Sequence, residues 1–260
     1  MRVLILLPPS EGKTAPKRGK PLDLGSLSLP QLAPARERVL DSLVSLCEGD
    51  PVLAAKVLEV PKSQLDLVDL NARVRTAPTA RADHVYSGVV YDALSPATLS
   101  TAARRRATSR LMVTSSLFGL VGPADRIPAY RLSGDAVLPG LGGVAAVWRD
   151  ALGPAVESSL GDGLLVDLRS SMYAAFWRPP ATMARRVATV RVLHEVNGRR
   201  QVVSHFNKAT KGRIVRALLE DGANPRTPAR LADVLRDLGW TVEVEAGRAG
   251  TRLDVVVAEI

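Results

Sequence analysis

Val3-Leu4-Ile5-Leu6-Leu7-Pro8-Pro9-Ser10-Glu11-Gly12-Lys13-Thr14 is the stretch on which the fold reading turns. An unbroken apolar run, β-branched in part and stopped by two prolines, spells a strand buried on both faces. The loop after it carries a hydroxyl, a carboxylate and an ammonium, and the end of a buried strand is a common place for binding groups. Its Gly12-Lys13-Thr14 ending is that of a phosphate loop. A Walker loop, however, needs a glycine five positions before Gly12, where Leu7 stands, so the nucleoside-triphosphate reading fails on geometry. Glu11 and Lys13 remain candidate site residues, with a solvated turn as the plain alternative.

Outward from this strand, apolar spacing predicts helices over Ala33 to Cys47, Val52 to Leu58 and Gln64 to Val74. His84 to Tyr86, Leu111 to Thr114 and Leu164 to Leu168 read as short strands. Asn197-Gly198 between Val190–Leu193 and Val202-Val203 signals a hairpin. Lys208 to Glu220 reads as an amphipathic helix, Thr227-Pro228 starts a last helix ending at Gly239, and strands around Trp240–Val244 and Leu253–Val257 close the chain. Helices and strands alternate without a regular βαβ rhythm. The expected fold is therefore a mixed α/β (α+β) single compact domain over residues 1–260, rather than a doubly wound sheet.

Composition narrows the partners. At 260 residues and 46% hydrophobic, the chain can bury a sizeable core. Lys and Arg number 35 against 26 acidic residues, a net charge of +9. That excess suits a polyanion, although an arginine-rich genome produces the same surface. Cys47 is the sole cysteine, so no intrachain disulfide can form, which fits a reducing compartment. His84, His194 and His205 do not cluster like zinc ligands, and neither a metal nor a cofactor is expected. The apolar start is too short for a signal peptide and no stretch has the length of a membrane span. The expectation is a cytoplasmic protein with no membrane partner.

Several segments could carry chemistry. Leu138-Pro139-Gly140-Leu141-Gly142-Gly143-Val144 looks like the hairpin of a helix-hairpin-helix element, in which Gly140 and Gly142 would let backbone N–H groups approach a DNA phosphate. A glycine turn before a helix is the alternative. Lys208, Lys211 and Arg216 fall near one face of their helix and form a candidate phosphate strip, or merely its wet side. Arg104-Arg105-Arg106 with Arg110 lacks interleaved aromatics and reads first as a solvated face. A trio of Ser170 or Ser171, His205 and Asp167 has no nucleophile-elbow pattern behind it.

Taken in order, five segments resemble the peroxide-stress YaaA family: Leu6–Thr14, Val85-Tyr86-Ser87-Gly88, Ser115–Gly119 through Pro123–Leu132, Leu165–Tyr173, and the Lys208–Arg216 helix. The match runs over about residues 3 to 221. The resemblance implies a compact α/β domain with a basic cleft, binding to DNA including branched forms, and a role in limiting oxidative damage associated with lower free iron. By position it carries over Lys13, Tyr86, Arg131, Ser170, Tyr173, Lys208, Lys211 and Arg216. Around Asp167 the family usually runs Asn-Leu-Ala-Ser and then an acidic pair before tyrosine; Asp167, Arg169, Ser171 and Met172 stand here instead.

Two functions follow. One is a DNA-binding protein of the peroxide response, contacting duplex or branched DNA through Lys13, Arg131, Gly140, Gly142, Lys208, Lys211 and Arg216. The other is an enzyme acting on a nucleotide or DNA base, with Glu11, Lys13 and Tyr86 as catalytic candidates and Glu11 as general acid or base. Direct iron storage lacks matched carboxylate and histidine spacing on helices. Convergence of Glu11, Tyr86, Arg131 and Lys208 as the lining of one enclosed pocket favours the second reading; their spread along an open basic groove favours the first.

Overall fold

The computed structural model of the chain describes residues 3–196, 199–201 and 203–258. Its strands, in chain order, are β1 Leu4–Leu7, β2 Ala80–Arg81, β3 Leu111–Ser115, β4 Gly119–Val121, β5 Arg126–Ile127, β6 Val137–Leu138, β7 Gly142–Gly143, β8 Leu165–Asp167, β9 Val187–Val196, β10 Arg199–Gln201, β11 Thr241–Gly247 and β12 Gly250–Val257. The main sheet runs β11-β12-β9-β8-β1-β3-β4, with β10 paired to β9. From β12 to β3 all neighbours are parallel. Antiparallel β11 and β4 flank that core. The fold is α/β, and more parallel than the missing βαβ rhythm suggests, because the chain runs from Leu7 to Leu111 before it returns beside β1.

Every residue of β1 is buried, as an unbroken apolar run between two parallel neighbours requires. From β1 the chain leaves toward β3 on one side; from β8 it leaves toward β9 on the other. The strand order therefore reverses between β1 and β8. Parallel α/β sheets bind ligands outside the carboxyl ends of such a strand pair. The Pro8–Thr14 loop and the Leu168–Ser170 turn both lie there.

Helices cover the sheet. The helix Ala33–Glu48 buries Val39, Leu40, Leu43 and Leu46, as its spacing predicts, and also Arg36. The helix Ser204–Asp221 packs on the short helix Val89–Leu94. Gly212 permits that approach: a β-carbon there would stand 2.2 Å from the Val90 carbonyl oxygen. The last helix, Pro228–Asp237, starts as expected, with Thr227 Oγ1 accepting from the Arg230 N–H at 3.3 Å.

One expected strand is corrected. Ala82–Val85 is a helical turn, and Tyr86 pairs with Lys13 in an isolated bridge outside the sheets. Gly88 opens the next helix at φ 93°, a conformation that ends extended pairing there. The hairpin of β9 and β10 forms, and its Asn197-Gly198 tip and Val202 lie outside the described residues. No helix among the described residues is long and apolar enough to cross a membrane.

Candidate functional site

The loop after β1 is sewn to the segment before Gly88. Thr14 N–H donates to the Val85 carbonyl at 2.8 Å and Ser87 N–H to the Gly12 carbonyl at 3.2 Å. Tyr91 Oη donates to the Pro8 carbonyl at 2.8 Å. This stitching sends the Lys13 side chain back across the loop. Its Nζ donates to the Ser10 carbonyl at 2.8 Å and lies 4.1 Å from the centroid of Tyr130 and 5.6 Å from that of Tyr86. Beneath it the hydroxyls form a chain: Tyr86 Oη to Tyr130 Oη is 3.0 Å, and Tyr130 Oη to Ser115 Oγ is 2.7 Å. Ser115 Oγ is fixed in turn by the Phe118 N–H at 3.0 Å.

Two further charges join this group. Arg131 Nη1 donates to Glu11 Oε2 at 3.0 Å. The Arg131 backbone is clamped on both sides by Asn71, whose Oδ1 accepts from the Arg131 N–H at 2.8 Å and whose Nδ2 donates to its carbonyl at 2.7 Å. Lys208, exposed on the first turns of its helix, lies close enough to act on Glu11. The hydrogen bond from Arg131 holds the Glu11 carboxyl below its ordinary value, with partial burial opposing and the charges of Arg131, Lys208 and Lys13 adding to it. Glu11 is thus an ionised carboxylate that orients Arg131, a poor proton donor at neutral pH.

Lys13 is the most perturbed of the cluster. Burial, and then the charge of Arg131, push its ammonium down from 10.5 to about 7, while Glu11 pulls it upward. Burial also raises Tyr86, Tyr130 and Tyr91, so those phenols stay protonated. The folded protein releases the Lys13 proton near pH 7 and the unfolded chain near its ordinary value. Between the two the unfolded state binds more protons, so this group's contribution to stability grows as pH rises through that window. Expected outcome: the Lys13 side-chain ¹³Cε resonance titrates near pH 7, and in Arg131→Gln its midpoint moves upward. A midpoint near 10 in the wild-type protein would remove the perturbation.

At the end of β8 the structure answers the Asp167 departure. Arg169 Nε and Nη2 donate to the two Asp167 oxygens at 2.9 and 2.7 Å, and the Arg169 N–H adds a bond at 3.0 Å. Both side chains are buried, and Asp167 is therefore engaged elsewhere than in a hydrolytic trio. The two substitutions form one matched pair. Ser116 Oγ and Tyr173 Oη lie 3.4 Å apart at the same end of the sheet.

Two of the three cations expected to form a phosphate strip along the Ser204–Asp221 helix donate to internal carbonyls. Lys211 Nζ donates to the Leu168 carbonyl at 2.8 Å and is pushed below its ordinary value by burial, with Asp167 opposing. Arg216 binds the Leu94 and Ser95 carbonyls and Thr98 Oγ1. Of these three cations Lys208 is the exposed one, and the other two are half-buried. In the Arg104–Arg110 cluster, Arg104 and Arg105 are exposed, as a solvated face requires, whereas Arg106 donates to the Leu219 carbonyl at 2.7 Å and Arg110 to that of Ala223 at 2.8 Å, at the helix end where free carbonyls attract cations.

The segment expected to be the hairpin of a helix-hairpin-helix element forms two short strands. β6 and β7 form a small hairpin around Gly140 (φ 71°) and Gly142 (φ 86°), and the helix Val144–Leu160 follows. Residues 119–143 contain no leading helix. Ser42 Oγ ties the hairpin to the helix Ala33–Glu48 through the Pro139 carbonyl at 3.0 Å. Gly140 and Gly142 are exposed there. Asn71 escapes a reading of the sequence, since an isolated Asn gives no sign of what it faces.

The family model for peroxide stress protein YaaA matches residues 3–246. A UPF0246 protein of Streptomyces coelicolor is 52% identical over 99% of this chain and 100% of its own length. A UPF0246 protein of Corynebacterium efficiens is 41% identical over 98% of this chain and 100% of its own. An uncharacterized protein of Campylobacter jejuni is 25% identical over 80% of this chain and 81% of its own.

Proposed function

The chain belongs to the peroxide stress protein YaaA family, and from that premise we propose that it acts in the peroxide response by taking one nucleotide unit of a nucleic acid at the carboxyl ends of β1 and β8. DNA is the partner in this reading. The single observation that carries it is convergence: Glu11, Lys13, Arg131, Lys208 and the Tyr86–Tyr130 pair gather at one place. Arg131 and Lys208 suit a phosphate, and the tyrosine faces and hydroxyls suit a sugar or base. The reading of DNA laid along the basic helix has less support, because Lys211 and Arg216 already serve internal carbonyls. Protection of DNA from oxidative damage, and the lower free iron that accompanies it, belong to this same proposal.

The test is fluorescence anisotropy over a salt series, with an intact duplex, a four-way junction and a duplex holding one unpaired nucleotide. The wild-type protein binds the duplex with the unpaired nucleotide most tightly. The Arg131→Gln/Lys208→Gln pair weakens binding and makes the salt slope shallower by about 2, one for each phosphate left without its cation. Lys211→Met leaves the slope unchanged. Equal slopes for wild type and the double variant would remove Arg131 and Lys208 from the interface.

A further inference from the structure

Lys13 has features that phosphate binding does not require. A cation meant only for phosphate works best exposed, as Lys208 is. Lys13 instead lies over the ring of Tyr130, with its amine held by the Ser10 carbonyl and with Arg131 and Glu11 beside it. The neighbours that bear on its charge are Arg131, which disfavours the ammonium, and Glu11, which favours it. Tyr86 and Tyr130 sit beneath it as neutral phenols, and the Tyr130 face itself attracts a cation. A neutral amine here keeps one N–H on Ser10 and has its lone pair free. Amines in such surroundings are nucleophiles toward carbonyl carbon.

We propose that Lys13 is the nucleophile of this site and captures the aldehyde of a phosphate-bearing deoxyribose as an imine. The proposal rests on the nucleotide-unit reading above and names the substrate class of that site. A deoxyribose that has lost its base opens to an aldehyde at C1′, and base loss follows oxidative damage to DNA. Lys13 Nζ adds to C1′, and the C=O bond becomes a C–OH bond. The hydroxyl then leaves as water, carrying both amine protons with it in total, and a C=N bond remains. No electrons are exchanged. Arg131 and Lys208 hold the adjoining phosphate. The depressed ammonium of Lys13, at about 7, makes the free amine abundant at neutral pH.

Borohydride trapping tests this. The full-length protein is incubated with a labelled duplex carrying one base-free site, with the intact duplex, or with 2-deoxyribose 5-phosphate, in the presence of cyanoborohydride, which reduces an imine to a stable secondary amine. The expected result is a covalent adduct with the base-free duplex, mapped to Lys13 by peptide mass and absent from Lys13→Arg. No such adduct forms with the intact duplex. Adduct yield rises through pH 7. Anisotropy on the same duplex without reductant reports DNA binding separately. Binding without an adduct overturns the imine and leaves the nucleotide-unit reading standing. If the duplex does not bind but the free sugar phosphate is trapped on Lys13, the DNA reading fails and the aldehyde comes from a small metabolite. An adduct that maps to Lys211, Lys208 or the amino terminus, or no adduct with either probe, overturns the proposal. Because the adduct is mapped on the wild-type protein, the outcome does not depend on whether Lys13→Arg folds.

Discussion

Arg36→Ala is expected to lower the stability of the fold by about 4 kcal/mol, among the largest effects a single side chain produces. Arg36 is fully buried. Its guanidinium donates to the carbonyls of Phe118 (3.0 Å), Leu29 (3.4 Å), Ser28 (2.7 Å) and Leu120 (2.8 Å). It thereby joins the helix Ala33–Glu48 to the β3–β4 turn and to the loop before the helix. Asp125 completes the arrangement, accepting from the Ser28 N–H at 2.9 Å and the Gly122 N–H at 2.8 Å. Burial pushes the guanidinium down to about 10, with Asp125 opposing, so it stays charged at neutral pH. Alanine leaves four carbonyls without their donor and a void where one of the largest buried side chains stood. In a chain of this size a loss of about 4 kcal/mol lowers the melting temperature by roughly 10 °C. Arg36→Lys keeps the charge, but one ammonium cannot span carbonyls on separate segments, and it recovers less than half. Urea unfolding followed by tryptophan fluorescence measures both. A loss below about 1 kcal/mol would mean that water or a shifted backbone satisfies those carbonyls instead.

Asp167→Asn should follow closely, at about 3–5 kcal/mol, because it strips the partner from a buried guanidinium. Arg169 also donates to the Tyr173 carbonyl at 3.3 Å and the Trp177 carbonyl at 3.0 Å. Together these bonds shape the turn whose Leu168 carbonyl receives Lys211. The loss is therefore expected to reach the site as well as the core. The informative variant is Asp167→Asn/Arg169→Ala, which removes both charges. It is expected to be milder than Asp167→Asn alone, recovering more than half the loss. If the single effects instead add to within about 0.5 kcal/mol, the two residues are independent and the matched-pair account fails.

What was legible in advance follows from range. The buried strand β1, the loop after it, the helices with apolar stripes and the closing hairpin are written in neighbouring residues. So is the family likeness, whose ordered segments include the loop that became the centre of the site. Strand order was not legible: β1 lies between β3 and β8, and the residues that pair are more than a hundred positions apart in the chain. His84–Tyr86 shows the same limit at short range, since its apolar character suits a strand or a helical turn and the fold places a turn there.

Composition and local pattern by themselves determined that this chain folds as one α/β unit around β1 and that it carries an excess of positive charge. They also singled out Glu11, Lys13 and Lys208, while Tyr86 and Arg131 came from the family resemblance. Only the tertiary structure decided which cations remain for a ligand. Lys211, Arg216, Arg106 and Arg110 look no different from Lys208 in a sequence, yet each bonds to backbone carbonyls that folding brings within reach. Every residue carries such a carbonyl, so no residue type announces the acceptor in advance. The state of Lys13 has the same origin. A lysine after a strand is ordinarily charged, and it is the burial over Tyr130 and the charge of Arg131, from distant parts of the chain, that make its amine available near neutral pH.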